Sequence, residues 1–185
     1  MLSDFLAKNI TSQASYVTYG YGQVEPNHLS AQRTGQIYAQ LPANKDIKVL
    51  ENGQFVKYDY ANNEVNFTGE GEWMLVFNEV KLYDDAWRES YKDFALQTVN
   101  FTEGVMTPRL FKTNVGDIYT TNCVGAANVS GKAEYAGIEL AEKDQVSPNA
   151  QGFLAKDGDG SIVFEVVKVY TMADGQPAVK LMRIK

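Results

Sequence analysis

The chain has 185 residues, 44% of them apolar and 22% charged, which suits one soluble globular domain or a compact domain with a smaller companion and an arm. Its formal charge of −6 and pI near 4.8, with no basic cluster, disfavour nucleic acid or an anionic membrane as partner. A single cysteine, Cys123, excludes an intrachain disulfide and any multi-cysteine metal site, and its expected role is that of a small buried apolar residue.

The opening MLSDFLAKNI interrupts its apolar residues with Asp4 and Lys8 and lacks the long apolar stretch of a secretion signal. No run approaches the roughly 20 apolar residues of a membrane span. Both features point to synthesis in the cytoplasm. Residues 1 to 44 carry only four formal charges, Asp4, Lys8, Glu25 and Arg33, and are rich in Gln, Ser, Thr, Tyr and Gly. We read them as an extended N-terminal arm. The aromatics Tyr16, Tyr19, Tyr21 and Tyr38 are too many for a freely solvated linker, so they are the candidate partner-binding residues, packed on their own domain or on a neighbouring subunit.

From residue 45 to 185 the pattern is β, as one body or as subdomains over 45–100 and 101–185. Ile47 and Val49 lead to Asn52-Gly53, a type I′ hairpin signal, and then to a strand with Val56, Tyr58 and Tyr60 on one face. Asn62-Asn63 supplies the next turn before Val65 and Phe67. In EWMLVFNEVKLYD, Trp73, Leu75 and Phe77 alternate with Met74 and Val76, so the strand is apolar on both sides and belongs in the core. The spacing of Trp87, Tyr91 and Phe94 at i, i+4 and i+7 predicts the one principal helix, over 84–96, capped by Asp84 or Asp85. Beyond it lie strand-like pieces around a Val115-Gly116-Asp117 turn, a loop over GAANVSGKAEYAG, and a closing hairpin. That hairpin runs from Ile162 through an Asp174-Gly175 turn to Val179 and Leu181, with Ile162, Phe164 and Val166 facing away from Val163, Val167 and Val169. The expected fold is mainly β with one helix, its antiparallel hairpins forming a sandwich or small barrel.

Few residues here suggest chemistry. His28 is the only histidine and has no legible orienting partner, so no catalytic residue is assigned. DGDGS at 157–161 starts like a calcium loop, but Ile162 stands where the sharp turn requires Gly and Lys168 where a bidentate Glu belongs. It reads as a tight turn, and neither a metal nor a cofactor is expected.

The order LENGQFVKYDY, EWMLVFNEVKLYD, YKDFAL, PRLFKTNVGDIYTTN and DGQPAVKLMRI resembles small virion proteins of tailed bacteriophages, in which LxNGxFV and VGDxxTTN-like elements recur. The likeness spans about residues 47–185 and is to capsid decoration (cement) or head-associated structural proteins. It implies a non-enzymatic β-rich body on the outer surface of the virion head, with the major capsid protein as partner and a homo-oligomer as one arrangement. A tail or head-fibre component and a carbohydrate-binding β module are the alternatives.

Overall fold

The computed structural model describes residues 17–19, 22–27, 37–78, 94–97, 106–127, 133–135, 140–173 and 175–185. Sixteen strands lie among them. In chain order they are β1 (Val17–Tyr19), β2 (Val24–Glu25), β3 (Ile37–Gln40), β4 (Val49–Leu50), β5 (Phe55–Asp59), β6 (Glu64–Asn66), β7 (Trp73–Val76) and β8 (Phe94–Gln97). There follow β9 (Arg109–Phe111), β10 (Ile118–Thr121), β11 (Gly125–Ala127), β12 (Ala133–Tyr135), β13 (Gln145–Pro148), β14 (Leu154–Ala155), β15 (Phe164–Thr171) and β16 (Pro177–Arg183). The protein is mainly β, and every strand pair is antiparallel.

The five-stranded sheet β3-β9-β7-β5-β6 is central, because its middle strand β7 is buried along its whole length. Successive side chains of a strand point to opposite faces, and here both faces meet apolar neighbours. Trp73 and Leu75 join Phe55 and Phe111 in one core, completed by Tyr119, Val146, Leu154, Phe164, Val166, Val179 and Leu181 of the six-stranded sheet β14-β13-β15-β16-β10-β2. Met74 and Val76 join Val56, Val65 and Leu110 in a second core, closed by Ala43, Ile47, Leu50 and Met106, with Leu96 of β8 partly buried against it. The three-stranded sheet β1-β8-β4 thus contributes Leu50 and Leu96 on the side opposite the six-stranded sheet.

Turn chemistry explains most connections. Asn63, at φ 53°, closes the β5–β6 hairpin, and the Asp59 carboxylate caps that turn through the amides of Ala61 and Asn62. The β15–β16 hairpin is present, with Thr171 opposite Pro177, its first strand starting at Phe164 rather than Ile162; Asp174 of the expected turn lies outside the described residues. Val167 is the extra residue of a β-bulge, since Val166 faces Leu181 and Lys168 faces Lys180; Val167 and Val169 are exposed while Phe164 and Val166 are buried.

Three expectations change. Asn52-Gly53 is a turn, with Gln54 N donating to Glu51 O, but only Gly53 of the pair has positive φ (92°), so it is not type I′. Its flanking strands do not pair: β4 joins β8 and β5 joins β7 and β6. The cause is that Leu50 packs in the second core and Phe55 in the first, so the turn carries the chain from one layer to the next. The helix expected over 84–96 lies outside the described residues as far as 93, and its last positions, Phe94 to Leu96, form strand β8 instead. There, ladder bonds to β1 and β4 override the local helical spacing. Finally, the segment GAANVSGKAEYAG, expected as a loop, carries the antiparallel hairpin β11–β12, with Gly125 opposite Tyr135. In the described stretches of residues 1–44, β1, β2 and β3 each pair with a strand of the body, so these stretches pack on their own domain, one of the two arrangements expected.

The doubly buried strand supplies a direct check. Leu75→Ala should destabilise the chain by about 2–5 kcal/mol in urea unfolding, whereas Val115→Ala, at a turn position that is 68% exposed, should stay within about 0.5 kcal/mol. Equal effects would contradict the layering.

Candidate functional site

Of the four tyrosines singled out above, Tyr16 and Tyr21 lie outside the described residues, as does His28. Tyr19 lies in β1, opposite Phe94, and Tyr38 sits at a register shift in β3 between Ile37, opposite Phe111, and Ala39, opposite Leu110. The two belong to different sheets. What the described stretches of residues 1–44 share is topological: among the described residues β1, β2 and β3 each occupy an outer position in a sheet's strand order.

The best-defined of these positions is the seat of β2. Val24 lies opposite Thr121 and Glu25 opposite Thr120. Just before them, Gly22 N donates to Glu51 Oε2 (3.1 Å) and Gln23 N donates to Asn122 Oδ1 (2.7 Å). Thr121 Oγ1 donates to the carbonyl of Gln23 (2.6 Å) and accepts from Cys123 N (3.0 Å). Asn122 Nδ2 is held in turn by Gln176 Oε1, and Thr120 Oγ1 donates to Asn27 Oδ1. Glu51, Thr120, Thr121 and Asn122 are fully buried. The seat reads backbone, since two buried side-chain acceptors meet two successive amides. It also demands glycine: a Cβ on Gly22 would collide with the carbonyl oxygen of Asn52.

The seat is assembled from two distant stretches. The turn Glu51–Gln54 is locked by Asn52, whose Oδ1 accepts from Asn78 N (2.8 Å), and by Gln54 Nε2 donating to Gln151 O (2.7 Å). Gly53 N donates to Val76 O and Val76 N to Gln54 O, which fastens the turn to the end of β7. The second stretch, Thr121–Cys123, packs so closely on the first that a Cβ on Gly53 would overlap Cys123 Cβ and Thr121 Oγ1. Burial pushes the Cys123 thiol well up, and the Glu51 carboxylate pushes it further. Cys123 is therefore a neutral, buried thiol, as its sequence context suggested, and not a nucleophile.

The DGDGS turn works as a clamp between sheets. Asp159 Oδ2 accepts from the indole Nε1 of Trp73 (2.7 Å) and faces Lys57 Nζ at 3.5 Å, while Oδ1 accepts from the amide and hydroxyl of Ser161. Lys57 Nζ also lies 4.7 Å from the centre of the Trp73 ring. Burial alone would raise the Asp159 carboxyl, but the Ser161, Trp73 and Lys57 contacts outweigh it and hold the group below the ordinary value. Among the described residues no group of three or more His, Cys, Asp or Glu side chains is placed to hold a metal, and no helix is long and apolar enough to cross a membrane.

Sequence reading missed the seat. ENGQ looked like a plain turn and TTNC like ordinary strand residues. The available signal was four consecutive polar or small residues inside an otherwise apolar β pattern, at Thr120 to Cys123. Comparison of the chain with family models, with curated proteins and with solved structures gave no match.

Two measurements check this chemistry. Cys123 should react with a thiol reagent at least about a hundredfold more slowly in the native chain than in denaturant; rapid native labelling would place it at the surface. Asp159 binds its proton more weakly folded than unfolded, so its stabilising effect is complete above the ordinary carboxylate value and is lost as pH falls through the folded value. Stability should therefore drop below about pH 4, and Asp159→Asn should reduce that drop.

Proposed function

We propose that the chain is a structural protein of a tailed-bacteriophage virion that binds the lattice of the major capsid protein on the outer surface of the head and stabilises it without catalysis. One observation supports this reading beyond the resemblance itself. The two elements that carry the likeness, LENGQFV and VGDIYTTN, meet at the Gly53–Thr121–Cys123 contact and together seat an extended N-terminal strand. Signature residues that hold an extended segment at a sheet edge suit a protein whose task is association, because main-chain hydrogen bonds at sheet edges are a general mode of protein recognition.

Under this proposal residues 1–44, with Tyr16, Tyr19, Tyr21 and Tyr38, supply contacts across subunit junctions. Aromatic side chains give large contact area at low conformational cost. Stabilisation of the head is a matter of linkage: a protein that binds the assembled lattice and not its separated subunits shifts the equilibrium toward the lattice, and many modest contacts add through multivalency. The acidic charge keeps the protein from competing for packaged DNA.

Particles of the phage that carries the gene provide the test. Mass spectrometry should find the chain in purified virions at a copy number comparable with that of the major capsid protein, and gold-labelled antibody should decorate the head. Heads lacking it should release DNA at a lower temperature. Label confined to the tail would assign the chain to a fibre or tail part, and absence from the particle would end the virion reading.

A further inference from the structure

We infer that Gly22–Glu25 is an exchangeable strand, and that the seat formed by Glu51, Thr120, Thr121 and Asn122 accepts the same segment from a second copy of this chain. The inference concerns the purified chain alone and stands whether or not the virion reading is correct.

Four observations carry it. First, among the described residues β2 is the terminal strand of its sheet, in the order β14-β13-β15-β16-β10-β2, so its departure leaves the other five strands paired. Second, the seat holds the strand through main-chain groups: the amides of Gly22 and Gln23 and the carbonyl of Gln23, in addition to the ladder with β10. An identical strand from another molecule makes the same bonds. Third, the seat is selective, since a side chain at position 22 would strike the Asn52 carbonyl. A foreign peptide meets that demand only by carrying glycine there, whereas a second copy meets it by identity, and exchange of an identical element is a low-cost route to association.

The fourth observation is the chain distance. Gln23 reaches Thr121 across 98 residues and Gly22 reaches Glu51 across 29. The strand is thus delivered to its seat by a long closure, whose effective concentration a neighbouring copy can rival when subunits are crowded together. Between β2 and β3 lie the eleven residues Pro26 to Gln36. That length spans up to roughly 36–40 Å when extended, enough to reach an adjacent molecule while β3 stays in place.

Cross-linking between chains tests this directly. Positions 25 and 120 are Cα partners. Full-length Glu25→Cys and Thr120→Cys chains, each also carrying Cys123→Ala, are purified separately, mixed, incubated and oxidised. Exchange yields a covalent heterodimer whose cross-linked peptide joins position 25 of one chain to position 120 of the other. Internal cross-linking of the Glu25→Cys/Thr120→Cys double variant, with no heterodimer from the mixture, would overturn the inference. If the cysteine variants do not fold, the unmodified chain decides. A fluorescent peptide of residues 17–27 should bind it saturably, and the same peptide with Gly22→Ala should bind at least about tenfold more weakly. No saturable binding, or equal binding by both peptides, would refute the assignment of the seat.

Discussion

Strand β7 has no side that faces water, and the rest of the molecule follows from covering it. Trp73 and Leu75 require apolar neighbours on one face of the central sheet, Met74 and Val76 on the other. Burying side chains of this kind is worth roughly 1.5–3 kcal/mol each, so the four together are comparable with the net stability of about 5–15 kcal/mol typical of a whole domain. A single sheet packed on one partner would leave one pair exposed. The chain therefore places the six-stranded sheet on one face and Ala43, Ile47, Leu50 and Met106 on the other.

That arrangement dictates the unusual chemistry of Glu51 to Gln54. Leu50 belongs to one core and Phe55 to the other, and only four residues separate them. A segment crossing between layers has no ladder of its own, so its polar groups need other partners. Asn52 bonds to the main chain of Asn78, Gln54 to that of Gln151, and Gly53 to that of Val76. Glu51 is carried inside by the same crossing and accepts from Gly22. The buried carboxylate is a consequence of the layer crossing, and the seat for β2 is built from it.

Legibility in the sequence followed the range of the interactions involved. The turns at Asn62-Asn63, at Gly116 and ahead of β16, and the two-sided character of Trp73–Val76, depend on local backbone preference or on strict alternation, and they were readable. Asn52-Gly53 was readable as a turn but not as a layer crossing, because which core claims Leu50 and which claims Phe55 is decided by distant strands. β2 pairs over only two residues and β1 over three, too short for a period to show, so their strand partners were not readable. Phe94 to Leu96 carried a helical spacing that pairing on both sides overrode. The partners in the seat are separated by up to 99 residues, and no local window contains them.

The polarity of the seat separates two roles that an apolar groove would combine. An apolar floor binds any greasy segment and rewards collapse, whereas buried acceptors bind only a segment that presents amides at the right spacing. Asn122 Oδ1 and Glu51 Oε2 are fixed from behind, the first through Gln176 and the second by its place in a turn that the end of β7 holds rigid. The acceptors are thus set in position by the packing of the core, and little further ordering is needed when a strand arrives. Rigidity that originates in the burial of Trp73–Val76 in this way becomes selectivity at an edge of the neighbouring sheet, where Gly22 alone fits under the Asn52 carbonyl.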